Sequence, residues 1–165
     1  MKNLIVYSSK SGNTRKLAEA VYDFLPGENV IKSVEEKPDP EGYDLVVVGF
    51  WLQAGKADPG SYEYLEKLAP AKLFLFATHG AAVDSPHAQN AMEGAKSLVT
   101  SSQVVGTFNC QGEVKEEFLA KVREKDPQPP WVKDAGGAVG HPDAHDIANL
   151  QIILEKAVAK LRSLK

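Results

Sequence analysis

The sequence predicts an α/β fold, with a doubly wound, five-stranded parallel sheet and helices on both faces. Three observations predict it. Four short runs rich in Val, Ile, Leu and Phe stand apart in the chain, and none alternates cleanly with polar residues, as expected of strands buried on both sides. Helical periodicity fills the intervals after these runs. Strands and helices therefore alternate, which requires right-handed crossovers and covers both faces of the sheet.

The four runs are Leu4-Ile5-Val6-Tyr7, Leu45-Val46-Val47-Val48-Gly49-Phe50, Leu73-Phe74-Leu75-Phe76-Ala77 and Val104-Val105-Gly106-Thr107-Phe108. A weaker run, 29–34, suits an edge strand. Thr14 to Leu25 carries Leu17, Val21 and Phe24 on one helical face and stops at Pro26-Gly27. Ser61 to Leu68 is a short second helix. His87 to about Ser101 is a third, with Ala88, Ala91, Met92, Ala95 and Leu98 on one side. Glu113 to Glu124 is a fourth, with Val114, Phe118 and Val122 spaced by four. Asp143 caps the last helix, whose stripe is Ile147, Leu150, Leu154, Ala157, Val158 and Leu161. Residues 126–142, rich in Pro and Gly and holding Trp131, fit no regular element and read as a long irregular insertion before that helix.

Composition narrows the function. The chain has 165 residues, 43% hydrophobic and 25% charged, which suits one folded domain with a single core. Lys and Arg number 19 against 22 Asp and Glu, a net charge of −3 that argues against nucleic-acid binding. No apolar run approaches a membrane span. The start runs from Met1 straight into a strand pattern without a signal-peptide cleavage site, so a cytoplasmic protein is expected. Cys110 is the lone cysteine, which excludes an internal disulfide and a multi-cysteine metal site.

The sharpest motif is Ser9-Lys10-Ser11-Gly12-Asn13-Thr14, placed where a buried strand gives way to a helix. Free N–H groups and a partial positive charge at a helix start suit a phosphate. Hydroxyls of Ser9, Ser11 and Thr14 can add donors, Gly12 lets the backbone pass close, and Lys10 brings a formal charge. An ordinary turn capped by its serines is the alternative. The motif is neither a nucleoside-triphosphate loop nor a dinucleotide fingerprint.

This stretch resembles the phosphate loop of the flavodoxin family, Thr/Ser-x-Thr/Ser-Gly-Asn-Thr. The resemblance runs from Met1 to about Gly112 and includes the final helix. It implies a flavodoxin-like sheet of strand order 2-1-3-4-5 and flavin mononucleotide (FMN) as cofactor, held at the carboxyl ends of the strands where the order reverses. It also implies two further contact loops. After the third strand, Phe50, Trp51, Leu52, Gln53, Ala54, Gly55 and Lys56 would border the isoalloxazine ring. Trp51 would stack on it, and Gly55 would permit a peptide reorientation. After the fourth, Thr78, His79, Gly80 and Ala81 would meet the ring's polar edge. Trp51 as a packing aromatic, and His79 pointing to solvent or bonded to a loop carbonyl, are the alternatives. A protonated His79 near the ring would favour an anionic reduced flavin. Asp84 suits a cap for the helix starting near Pro86.

Other clusters read as structural. Cys110 suits a buried apolar role, although a Cys110–His79 pair is conceivable. His141-Pro142-Asp143-Ala144-His145-Asp146 resembles a metal-binding run, but a helix start explains its aspartates.

The function implied is an electron carrier between redox partner proteins, a monomer or weak dimer binding neither nucleic acid nor membrane. The alternative is an FMN-dependent reductase of a quinone, an azo compound or a tetrapyrrole-like acceptor. A receiver-type signalling domain would need an acidic cluster after the first strand and an Asp ending the third, where Ser8-Ser9 and Phe50-Trp51 stand instead. The 126–142 insertion and the mild pI near 5.8 set the chain apart from the plain carrier, and the insertion is expected near the flavin edge, with Trp131 gating access or meeting a partner.

Overall fold

The structure, a computed structural model, describes residues 1–163. Five strands run parallel: β1 (Lys2–Tyr7), β2 (Glu28–Ser33), β3 (Leu45–Gln53), β5 (Lys72–His79) and β6 (Gln103–Gln111). Their order is β2-β1-β3-β5-β6, the expected 2-1-3-4-5 arrangement once the short antiparallel β4 (Lys56–Ala57), paired to β3, is set aside. As expected, the weak run forms an edge strand, β2, which pairs with β1.

The unbroken apolar runs are explained by the two cores they fill. Alternate residues Ile5, Val47, Phe74, Phe76 and Phe108 face α1 (Asn13–Phe24) and α5 (Ala144–Ser163), which contribute Leu17, Val21, Leu150, Leu154 and Leu161. The intervening Leu4, Val6, Val46, Val48, Phe50 and Leu75 face α2 (Pro59–Glu66) and α3 (Pro86–Leu98), which bring Leu65, Met92 and Ala95. Gly49 is a spacing residue within this sheet: a Cβ there would lie 2.1 Å from the Phe76 ring.

Three predicted details are corrected. The second helix starts at Pro59, before Ser61, because Asp58 caps it and Pro59 occupies the first helical position. Ser85, not Asp84, caps α3, its hydroxyl accepting from Ala88 N at 3.2 Å. The fourth helix, α4 (Glu116–Arg123), begins later and turns differently: Val114 precedes it, Phe118 is 52% exposed, and Leu119 joins Val122 inside. Asp143 does cap α5, and the Leu150-to-Leu161 stripe is buried.

Residues 126–142 also differ from the irregular loop expected. Pro130–Ala138 forms a 3-10 helix, and Val132, Ala135 and Ala138 are buried. Their spacing of three aligns them on one side of a helix with three residues per turn. No helix among the described residues is long and apolar enough to cross a membrane.

Candidate functional site

The parallel register brings three loops to one edge of the sheet. Tyr7 lies opposite Gly49, Trp51 opposite Thr78, and Thr78 opposite Cys110, so the loops after β1, β3 and β5 emerge side by side.

In the first loop the chain turns into α1 through Gly12, whose φ of 96° is costly for any side-chain-bearing residue. No side chain caps α1 among the described residues, so its leading amides keep their donor capacity. A Cβ on Gly12 would meet nothing within 4 Å, so the turn faces open space. Ser9 Oγ accepts from Gly12 N at 3.1 Å and shapes the turn. Lys10 and Ser11 are exposed, and Lys10 Nζ stands 5.7 Å from the centre of the Trp51 ring, a cation–π distance. Asn13 donates its side-chain amide to Glu113 O at 3.1 Å. The Thr14 hydroxyl is turned inward: it is buried and lies 2.9 Å from Thr78 Oγ1, which ties the first loop to β5.

The second loop is a tight hairpin between β3 and β4. Ala54 and Gly55 have φ of 51° and 75°, the two consecutive left-handed residues that such two-residue turns need. Trp51 and Leu52 are half-buried, while Gln53, Ala54 and Lys56 are exposed. The Phe50 ring lies wholly inside the second core, so its side chain does not face the loops. Asp58, only 2% exposed, anchors this hairpin: its Oδ2 accepts from Ser8 Oγ at 2.8 Å and from Ser61 N at 3.1 Å, and its own N–H donates to Trp51 O at 2.9 Å.

The third loop is held at every residue from 79 to 82. Buried His79 has Nδ1 3.1 Å from Ala81 O and Nε2 2.8 Å from Asn109 Oδ1. Burial holds its pKa below the ordinary value despite these contacts, so the ring is neutral at pH 7. A neutral imidazole has one N–H for these two oxygen neighbours, so it donates to only one of them. His79 thereby meets the loop's own Ala81 carbonyl. Gly112 N donates to His79 O at 2.8 Å, Gln111 Nε2 reaches Gly80 O at 3.4 Å, and Ala82 N donates to Asp134 Oδ2 at 3.2 Å.

The pattern of this fold and these loops has known relatives. A family model described as a flavodoxin domain matches residues 4–155. The chain belongs to the flavodoxin family. It is 36% identical over 129 residues (75% of this chain, 73% of the relative) to the flavodoxin-like domain-containing protein BilS of Clostridioides difficile strain CD3. It is 31% identical over 183 aligned positions (96% of each chain) to the BilS protein of Clostridium symbiosum strain WAL-14163. The crystal structure of oxidised flavodoxin 2 from Bacillus cereus superimposes with a TM-score of 0.65 at 15% identity, covering 97% of this chain and 99% of that one. Membership places this protein in a family of flavoproteins.

Within that family frame, Cys110 takes a structural role, and the His141–Asp146 run starts α5 while bringing ligand atoms of His141, Asp143 and Asp146 within 4.8 Å of one another. Cys110 is buried in the first core, its thiol pKa pushed far up by burial and, secondarily, by the charges of Asp146 and Asp143. Both His79 nitrogens are engaged elsewhere, so no Cys–His pair forms. The His141–Asp146 run starts α5: Asp143 Oδ1 accepts from His145 N and Asp146 N at 2.9 and 3.0 Å, and Asp146 Oδ2 accepts from Asp143 N at 2.8 Å. His141 Nδ1 lies 2.6 Å from the same Asp146 oxygen.

Asp58, Asn109, Gln111 and Asp134 were not singled out from the sequence. Asp58 had a readable signal, the Asp-Pro-Gly-Ser start of a helix. Asn109 and Gln111 flank Cys110 at the polar end of β6. Asp134 had none.

Proposed function

We propose that this protein binds FMN and carries electrons between redox partner proteins in the cytoplasm, as a monomer or weak dimer. The observation that carries the reading is the turn at Gly12. It is left-handed, open above and followed by helix amides that no side chain caps. A doubly charged phosphate ester satisfies such amides and gains from the helix dipole. The residues present fit the group: backbone N–H groups of residues 10, 11, 13 and 14 and the Ser11 hydroxyl would hold the phosphate. Lys10 adds positive charge there while resting on Trp51. Trp51 would cover the ring, whose large apolar area it would help bury. The Gln53–Lys56 hairpin and the Thr78–Ala81 loop would line its edges.

When bound, FMN supplies one- and two-electron chemistry. The chain's own residues bind, orient and exclude water. Burial holds the His79 pKa down in the flavin-free chain. A visible spectrum of the purified protein, dithionite titration and NAD(P)H turnover test the reading. The expected result is a flavin spectrum, electrons accepted in two resolved steps, and NAD(P)H oxidation only when a separate reductase is added. Rapid NAD(P)H oxidation with a quinone by the protein alone would support a reductase instead.

A further inference from the structure

We propose that Asp134 and Trp131, on the 3-10 helix before α5, are positioning residues for the flavin. They brace the third loop in its binding shape before any ligand arrives. This inference rests on the FMN reading.

Residues 80–83 are Gly, Ala, Ala and Val, small or branched side chains that offer no aromatic and no polar group to fix the loop. His79 Nδ1 meets Ala81 O from within the loop, and further support comes from outside. Asp134 Oδ2 accepts the Ala82 N–H at 3.2 Å, which sets the orientation of the peptide joining Ala81 and Ala82. Asp134 O accepts from Gln111 Nε2 at 3.2 Å, and the same Gln111 nitrogen reaches Gly80 O, so the end of β6, the brace and the loop share one network. Trp131 supplies the packing. A Cβ on Gly80 would sit 3.0 Å from Trp131 Cε3, so the loop backbone lies directly against the indole. Trp131 is in turn backed by Phe118, with ring planes 2° apart and centres 6.4 Å apart. Trp131 also packs against the buried cluster of Leu119, Val122, Val132 and Ala135.

Trp131 sits between a backbone it touches and a small core of its own, and Asp134 pins the same loop two residues on. A loop ordered in advance loses less entropy when ligand binds, so affinity depends on residues that need not touch the ligand. Support for the ring's polar-edge loop thus comes in part from a later segment of the chain.

The test uses full-length protein. Amide hydrogen exchange at Ala82 is measured by NMR without flavin, and FMN affinity by quenching of flavin fluorescence, for wild type, Asp134→Ala, Asp134→Asn and Trp131→Leu. Losing a hydrogen bond to a charged acceptor predicts about tenfold faster Ala82 exchange in Asp134→Ala and about tenfold weaker FMN binding. Asn keeps an acceptor oxygen, so Asp134→Asn should restore most of both. Trp131→Leu should also weaken binding and speed exchange across residues 80–82. Unchanged Ala82 exchange in both Asp134→Ala and Trp131→Leu would overturn the brace. Faster exchange with unchanged FMN affinity would overturn its role toward the flavin. Should wild type bind no FMN, the functional reading fails instead, and the exchange data in flavin-free protein still decide whether the brace exists. If Asp134→Ala does not fold, the Trp131→Leu and Asp134→Asn comparison decides alone.

Discussion

Replacing Asp58 with Ala should destabilise the loop edge strongly. The carboxylate is 2% exposed, caps α2 through Ser61 N, and receives the Ser8 hydroxyl at 2.8 Å. Loss of a helix cap costs about 1 kcal/mol, and a hydrogen bond to a charged group contributes about 1.5–3 kcal/mol. The contact from Trp51 N at 3.4 Å adds little. The expected destabilisation is therefore about 2–4 kcal/mol, which for a chain of this length lowers the melting temperature by about 4–16 °C. Urea unfolding of the flavin-free protein measures it, with Ser8→Ala and Asp58→Asn as graded controls. Ser8→Ala removes that charged-acceptor bond and should cost about 1.5–3 kcal/mol. Asp58→Asn keeps an acceptor for Ser61 N and should fall between. Because Asp58 N also donates to Trp51 O, the hairpin should loosen and FMN affinity should fall in Asp58→Ala. An Asp58→Ala protein within about 0.5 kcal/mol of wild type would refute the assignment of Asp58 as the anchor joining the first two loops.

Two further outcomes follow from buried polar pairs. Thr14→Val leaves Thr78 Oγ1 buried without its partner and should cost about 1–3 kcal/mol, whereas the Thr14→Val/Thr78→Val double variant should recover much of that; strict additivity in a denaturant cycle would show that the hydroxyls do not interact. His79 is buried with a depressed pKa, so the unfolded chain takes up its proton first as pH falls. The stability gained by keeping it neutral is present in full above about pH 6.5 and declines below that value, toward the depressed folded pKa. The stability difference between wild type and His79→Gln should shrink from pH 7.5 to 5.5, and the NMR titration of the His79 ring should give a midpoint below about 6.5; a midpoint at or above that value would contradict the burial argument.

Much of this fold was legible because burial on both faces leaves a plain mark. The Leu45–Phe50 run has no polar alternation since Val46 and Val48 fill one core while Val47 fills the other. The helix from Glu113 was misplaced because two stripes compete: Val114, Phe118 and Val122 at spacing four, and Leu119 and Val122 at spacing three. The second wins once the 3-10 helix supplies Val132 and Ala135 as packing partners. At the site, the glycine turn, the hairpin and the β5 loop lie together as the motif logic required. What the sequence could not show was who satisfies whom. Thr14 was read as a ligand donor but meets Thr78, 64 positions away. His79 reaches Asn109 through a β5–β6 pairing whose register shifts between Leu73 and Phe74, which no local pattern reveals. The place of Phe50 in the sequence groups it with the ring-lining residues, but strand alternation sends its side chain into the core.

The most direct measurement compares FMN with riboflavin in binding to the flavin-free protein. If uncapped amides of α1 and the Gly12 turn hold a phosphate, FMN should bind one-to-one and riboflavin, lacking the phosphate, about 100-fold or more weakly, as loss of two charge-assisted hydrogen bonds predicts. Equal affinity for the two flavins, or failure to bind either, would contradict the account at its base.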